Sequence, residues 1–174
     1  MGGILSFVVI NIISKMIVNR ITQKSMICEI EIFYKGKNKK IKTMIDTGNL
    51  LKEPITQKDV IIVEKNSLED IIEEDFFKNI KNIVKGKFLE SNNKKNYSYK
   101  FNIIPFSSLG NDNGILIGFK PDYVKIYEDE EKIIKDVFIG IYDGKLTKTN
   151  LYTSLIGLNI LKEGKNEKKF VKTV

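Results

Sequence analysis

Residues 42–51 read KTMIDTGNLL. A short run, Thr43-Met44-Ile45, stops at Asp46, and Thr47 and Gly48 follow at once. In the plain reading Asp46 opens a turn and its neighbours are ordinary turn residues. In the other reading Asp46 is half of a catalytic carboxylate pair. Two aspartates about 3 Å apart cannot both ionise, so they share one proton. The charged member draws a proton from a water that attacks a peptide carbonyl, and the neutral member donates to the carbonyl oxygen. Thr after the Asp supplies a hydroxyl to brace the loop. Gly lets the backbone turn tightly against the carboxylate. Average residue usage yields such a triplet by chance often enough that it is weak alone, so the surroundings decide.

Upstream, residues 26–34 (MICEIEIFY) alternate, with Cys28, Ile30 and Ile32 on one side and Glu29 and Glu31 on the other. That is a half-buried strand. A polar turn around Gly36 and Asn38 leads into a second strand, residues 41–46, so a hairpin delivers Asp46 at its far end. Residues 59–65 (DVIIVEK) are a further strand. The period then changes to a helical one at Leu68, Ile71, Ile72, Phe76, Ile80, Ile83 and Val84. Ser67 is placed to cap that helix with Asp70 as in a capping box, and Gly86 to stop it. Residues 87–100 read as a polar loop. Residues 103–119 form a hairpin with a turn-rich tip, SSLGNDNG, and Asn113-Gly114 as its turn signal. DYVKIY, the acidic turn 128–131 and KIIKDVFIGIY predict another hairpin. Residues 154–161 (SLIGLNIL) put two apolar residues and a glycine before a short helix.

The bulk properties narrow the chemistry. The chain has 174 residues, enough for one domain with a sizeable core. It has no histidine, which excludes Ser-His and Cys-His nucleophiles and histidine-bearing zinc sites. Cys28 is the single cysteine, so no intrachain disulfide forms; a reducing compartment and a buried apolar role are expected for it. The acidic run 69–75 reads as a solvated helix face, since hard cations need a convergent oxygen cage. No metal or cofactor is expected. The net charge of +7 is almost all lysine, with Arg20 the only arginine. The lysines are scattered and few aromatics lie among them, which argues against a nucleic-acid reader and leaves an acidic partner or an anionic membrane face. Residues 3–13 are apolar, then Lys15, Arg20 and Lys24 follow. A span needs about 20 apolar residues, and basic residues that follow the stretch do not suit a signal peptide. Two readings stay open for it: the end of a transmembrane helix with a cytoplasmic flank, or a core or interface segment. The division expected is a membrane-proximal apolar segment at 1–22, the domain that carries Asp46 at 23–163 and a basic tail at 164–174.

A strand ending in Asp-Thr-Gly, then a flap hairpin, then apolar-apolar-Gly is the order of a single aspartic-protease lobe of the retroviral type, which this chain resembles. The expected fold is therefore mainly β, a retropepsin-like barrel with one or two short helices. Residues 30–65, 103–127 and 137–146 sharpen the likeness. They resemble the protease domain of the sporulation sigma-E factor-processing peptidases, most specifically in D-T-G-N with the nearby L-x-E-P, and in the later I-P-F and F-K-P-D. The resemblance implies a membrane-tethered aspartic protease that removes the pro-segment of a sporulation sigma factor on the cytoplasmic, mother-cell side. It also implies a multi-span N-terminal region that receives a forespore-derived signal, of which residues 3–13 offer at most part of one span.

By the motif, Asp46 is the catalytic aspartate, with Thr47 and Gly48 as its brace. Asn49 is expected to donate its amide to the outer carboxylate oxygen and lower the pair's first pKa. Ser107, Ser108, Leu109, Gly110 and Gly114 form a flap over a substrate bound in extended form. No second D-T-G or D-S-G exists; Asp143-Gly144 and Asp112-Asn113-Gly114 are turn signals. The expected answer is a two-fold homodimer, each chain giving one Asp46, so that activity falls more steeply than linearly on dilution. The rival readings are a non-catalytic dimerisation or binding module of the same shape, and a basic nucleic-acid-binding regulatory domain.

Overall fold

The alternating residues upstream of Asp46 form β1 (Ile27–Tyr34) and β2 (Lys37–Asp46), paired in register from Tyr34↔Lys37 to Ile27↔Met44. Only Lys35 and Gly36 turn the chain, both at positive φ (50° and 78°). A two-residue loop of that hand matches the right-handed twist of the strands. The turn is thus tighter than expected, and Asn38 already pairs with Phe33 inside the hairpin.

The computed structural model describes residues 26–73, 76–77, 101–108, 111–128 and 130–162. The remaining strands are β3 (Val60–Glu64), β4 (Asn102–Ser108), β5 (Asn111–Phe119), β6 (Tyr123–Tyr127), β7 (Glu131–Ile134), β8 (Phe138–Tyr142) and β9 (Ser154–Gly157). They make one nine-stranded sheet in the order β4-β5-β8-β3-β9-β2-β1-β6-β7. The expectation of a mainly β, single-lobe fold holds. The late strand β9 lies at its centre, parallel to β2 and antiparallel to β3. A short helix begins directly after it, at residues 158–162.

Period-2 alternation divides the apolar side chains between two clusters. Ile61 and Val63 of β3 join Ile30, Ile32, Phe119, Val124, Ile126, Ile139 and Ile156 in the larger one. Val60, on the opposite side of the same strand, packs with Ile104, Leu116 and Phe138 in a smaller one, and Ile62 and Phe106 lean on it. Each fully buried Ile or Phe side chain contributes roughly 1.5–3 kcal/mol. The smaller cluster fastens the β4–β5 hairpin to the sheet.

Three local expectations change. The helix does not start at Ser67: a 3₁₀ turn, Lys65–Leu68, comes first, with Ser67 inside it and no side-chain cap, and residues 76–77 are helical. Leu68 O accepts from the amides of both Ile71 and Ile72, at 3.0 and 2.9 Å. Leu68, Ile71, Ile72 and Phe76 are buried all the same, in the larger cluster. Ile80, Ile83, Val84, Gly86 and the loop 87–100 lie outside the described residues. KIIKDVFIGIY is not one strand. It breaks at 135–137, leaving β7 at the sheet edge beside β6 and β8 between β5 and β3. The break is held by Asp136, which pairs with Lys58 at 2.8 Å and Lys120 at 3.2 Å. Finally, Asn113-Gly114 is not the hairpin turn; both residues sit within β5.

Residues 1–25 and 163–174, including all of the apolar N-terminal segment and all of the basic tail, fall outside the described residues. Among those described, no helix is long and apolar enough to cross a membrane.

Candidate active site

Asp46 is the last residue of β2 and pairs with Gly157, the last residue of β9. Beyond it the backbone folds back: Gly48 N donates to Asp46 Oδ1 at 2.9 Å and Asn49 N donates to Asp46 O at 3.2 Å. This is an Asx turn, which an Asp followed two residues on by an unencumbered amide forms readily. The plain and the catalytic readings of the triplet therefore share one geometry. Asp46 is half-buried and Thr47 exposed.

Asn49 does something other than expected. Its Nδ2 donates to Val60 O of β3 at 3.3 Å, and its Oδ1 accepts from Leu51 N at 3.2 Å. With Val60 N donating to Leu51 O at 3.0 Å, these bonds lash the loop to β3. The Asn49 amide is thus committed to a buried backbone carbonyl rather than to the Asp46 carboxylate. The loop also passes directly over Gly157, where an added Cβ would lie 2.5 Å from Asn49 O. Only a glycine permits so close a backbone approach.

The wall opposite is the β4–β5 hairpin. Pro105, Phe106 and Ser107 face Asp46, Gly48 and Asn49 across a cleft of about 710 Å³ whose other lining includes Ile62, Leu116 and Leu155. That volume lies in the usual range for a ligand pocket, and such pockets are mostly apolar with a few placed polar groups. Asp46 is the one carboxylate among the described residues that line it. Of the predicted flap residues, Ser107 lines the cleft and Ser108 ends β4 opposite Asn111. Leu109 and Gly110 lie outside the described residues. Gly114 faces Phe106 across the ladder, and a Cβ there would meet the Phe106 ring at 2.3 Å. The glycine that looked like a turn former is a seat for an aromatic ring on the cleft wall.

Sequence reasoning missed three supports. Gly157 was noted only as part of an apolar-apolar-Gly pattern. Glu53, in the L-x-E-P stretch, is fully buried. Glu64, also buried, accepts from Leu146 N at 2.7 Å and so holds the loop after β8 against the cleft. Cys28 is buried; that burial, and to a lesser degree Glu128, pushes its thiol up to about 11. Among the described residues no group of three or more His, Cys, Asp or Glu side chains converges as metal ligands would.

The Peptidase_U4 family, described as sporulation factor SpoIIGA, matches residues 1–160. A "probable sporulation sigma-E factor-processing peptidase" of Clostridium acetobutylicum is 33% identical over 150 residues, 86% of this chain and 48% of that relative. The sporulation sigma-E factor-processing peptidase of Priestia megaterium is 30% identical over 129 residues, 74% of this chain and 42% of its own. That of Bacillus subtilis is 30% identical over 118 residues, 67% and 38% respectively. The match covers less than half the length of each of these relatives. No solved structure matches. The family match takes in the Asp46 turn, both walls of the cleft and Gly157 beneath the loop; the chain belongs to the Peptidase_U4 family of sporulation factor SpoIIGA.

Proposed function

We propose that this chain is an aspartic endopeptidase whose catalytic pair forms across a two-fold homodimer, one Asp46 from each copy, and that it removes the N-terminal pro-segment of a sporulation sigma factor. The observation that carries the reading is Asp46 itself: one carboxylate, at a strand mouth, in a mostly apolar cleft roofed by a hairpin. The names of the relatives, sporulation sigma-E factor-processing peptidases, supply the substrate class.

In the dimer one Asp46 is ionised and its twin holds the shared proton. The ionised oxygen takes a proton from a water as that water's oxygen bonds to the scissile carbonyl carbon, and the protonated twin gives its proton to the carbonyl oxygen. Collapse of the tetrahedral intermediate returns a proton to the leaving amine nitrogen and breaks the C–N bond. Thr47 and Gly48 brace the pair, the Gly48 amide by its bond to Oδ1. Pro105, Phe106 and Ser107 cover the extended peptide, with Ser108, Leu109, Gly110 and Gly114 completing the flap. The enzyme works at the cell membrane, on the cytoplasmic mother-cell side, with residues 1–22 next to the bilayer, and a forespore-derived protein supplies its signal. Nucleic acid plays no part.

Co-expression of the wild type or Asp46→Ala with a membrane-associated pro-sigma factor tests this. Processing by the wild type and none by a folded Asp46→Ala protein is expected on a gel. Processing retained by Asp46→Ala refutes the catalytic role of Asp46, and no processing by either protein favours a module that only binds.

A further inference from the structure

Glu53 has no exposed surface, although it stands in the surface loop that follows the Asp46 turn. Carboxylates are almost never fully buried without partners, because an unpaired buried charge is costly. Its two oxygens divide their partners between two parts of the chain. Oε2 accepts from Thr56 N and Thr56 Oγ1, both at 2.6 Å. These bonds close the turn 53–58 together with Glu53 N to Lys58 O and Gln57 N to Glu53 O, each 2.8 Å. Oε1 accepts from Asn102 Nδ2 at 3.1 Å, across 49 residues of sequence.

Asn102 is the first residue of β4, and Pro105, Phe106 and Ser107 of the same strand form one wall of the cleft. Asn49 and Leu51, just before Glu53, belong to the other wall. Among the described strands β4 stands at one end of the sheet, with β5 as its ladder partner. Among the described residues the Glu53–Asn102 bond is a direct polar tie from the hairpin back to the loop that carries Asp46. We propose that Glu53, acting through Asn102, is a positioning residue that fixes the height of the β4–β5 hairpin over Asp46. The proposal deepens the aspartic-protease reading of the cleft and rests on it.

The bond is of the stronger kind, since hydrogen bonds to an ionised acceptor are about twice as strong as neutral ones. Separately, the Thr56 hydroxyl, more than any other group, holds the Glu53 carboxyl below the usual glutamate range, so the acceptor stays charged in mild acid. The L-x-E-P and I-P-F stretches, remote in sequence, are thereby one mechanical unit.

Asn102→Ala isolates the tie, because it leaves every Thr56 bond of Glu53 in place. In the full chain, hydrogen exchange should accelerate about tenfold in both 50–58 and 103–118, with little change in the rest of the sheet. With a purified pro-sigma factor as substrate, KM should rise several-fold while kcat changes less. Asn102→Asp, which sets two carboxylates against each other, should do more harm than Ala. Exchange that accelerates in β4 alone, or an unchanged KM in an active enzyme, overturns the proposal. In a double-mutant cycle, adding Asn102→Ala to Glu53→Ala should cost nothing further, and full additivity would refute the coupling. Failure of Asp46→Ala to abolish processing sinks the catalytic reading instead, and the exchange measurement still decides whether the two walls are tied.

Discussion

Replacing Gly157 with alanine adds one methyl group where the Asp46 loop crosses β9. The new Cβ would start 2.5 Å from Asn49 O, a backbone atom that no side-chain rotation can move away. Reaching an ordinary contact of 3.4 Å demands a shift of about 0.9 Å in the loop or in β9, and misplacing a catalytic group by about 1 Å costs on the order of 10²-fold in rate. Both elements carry the site: Gly157 is the ladder partner of Asp46, and Asn49 lashes the loop to Val60. The stability cost is that of overpacking, about 1–3 kcal/mol. Gly157→Ala should therefore lose about 100-fold in kcat/KM on a pro-sigma substrate while remaining folded by circular dichroism and urea titration. Loss of activity in step with loss of fold would mean that the methyl acts only through stability. Activity within about twofold of wild type would refute the argument that this backbone crossing sets the position of Asp46.

Ser154 Oγ is buried without a hydrogen-bond partner among the described residues; Ser154→Ala should raise stability by about 1 kcal/mol, read as a higher urea midpoint, and a lower one would mean that the hydroxyl has a partner in solution. Cys28, with its thiol pushed up to about 11, has about one thiolate per thousand molecules at pH 8. Iodoacetamide should leave the folded protein unlabelled by mass and fully active, and rapid labelling would contradict the burial. Glu53, held below its ordinary value of 4.5 by Thr56 first, adds stability that is fully present above that value and is lost as pH falls through its lower folded value. The urea midpoint of Glu53→Gln should fall less steeply on acidification than that of the wild type; parallel curves would remove Glu53 from the acid response.

The strands that hold Asp46 were legible because each announces itself locally. Alternation over residues 26–34 needs only period-2 sterics and one buried face, and β1 forms where the pattern puts it; β2 ends at Asp46 as expected but starts at Lys37, four residues before the expected strand. Misreadings arose where one local signal has two physical causes. Asn-Gly marks positive-φ turns, yet Gly114 is glycine because the Phe106 ring lies where its Cβ would be. The 68, 71, 72, 76 spacing marks burial on one side; a 3₁₀ turn and bends supply it up to residue 72, and residues 76–77 are helical. Periodicity reports which side chains are buried and leaves open which backbone buries them.

The candidate site divides along a similar line. Asp46, Thr47 and Gly48 are contiguous, and the Asx turn that shapes them is a property of three adjacent residues. Everything that gives the turn its position comes from far along the chain: Val60 for Asn49, Gly157 for the crossing, Asn102 for Glu53. None of these pairings leaves a periodic trace, since each is one contact between irregular segments or at a strand end. In sequence a buried glutamate in a surface loop looks the same as a solvated one. What distinguishes them is the Thr56 hydroxyl three residues on and an amide 49 residues on. The motif is therefore the part of the site that chemistry dictates, and its supports are the part that topology dictates: β9 had to enter between β3 and β2 before Gly157 could lie beneath Asn49 at all.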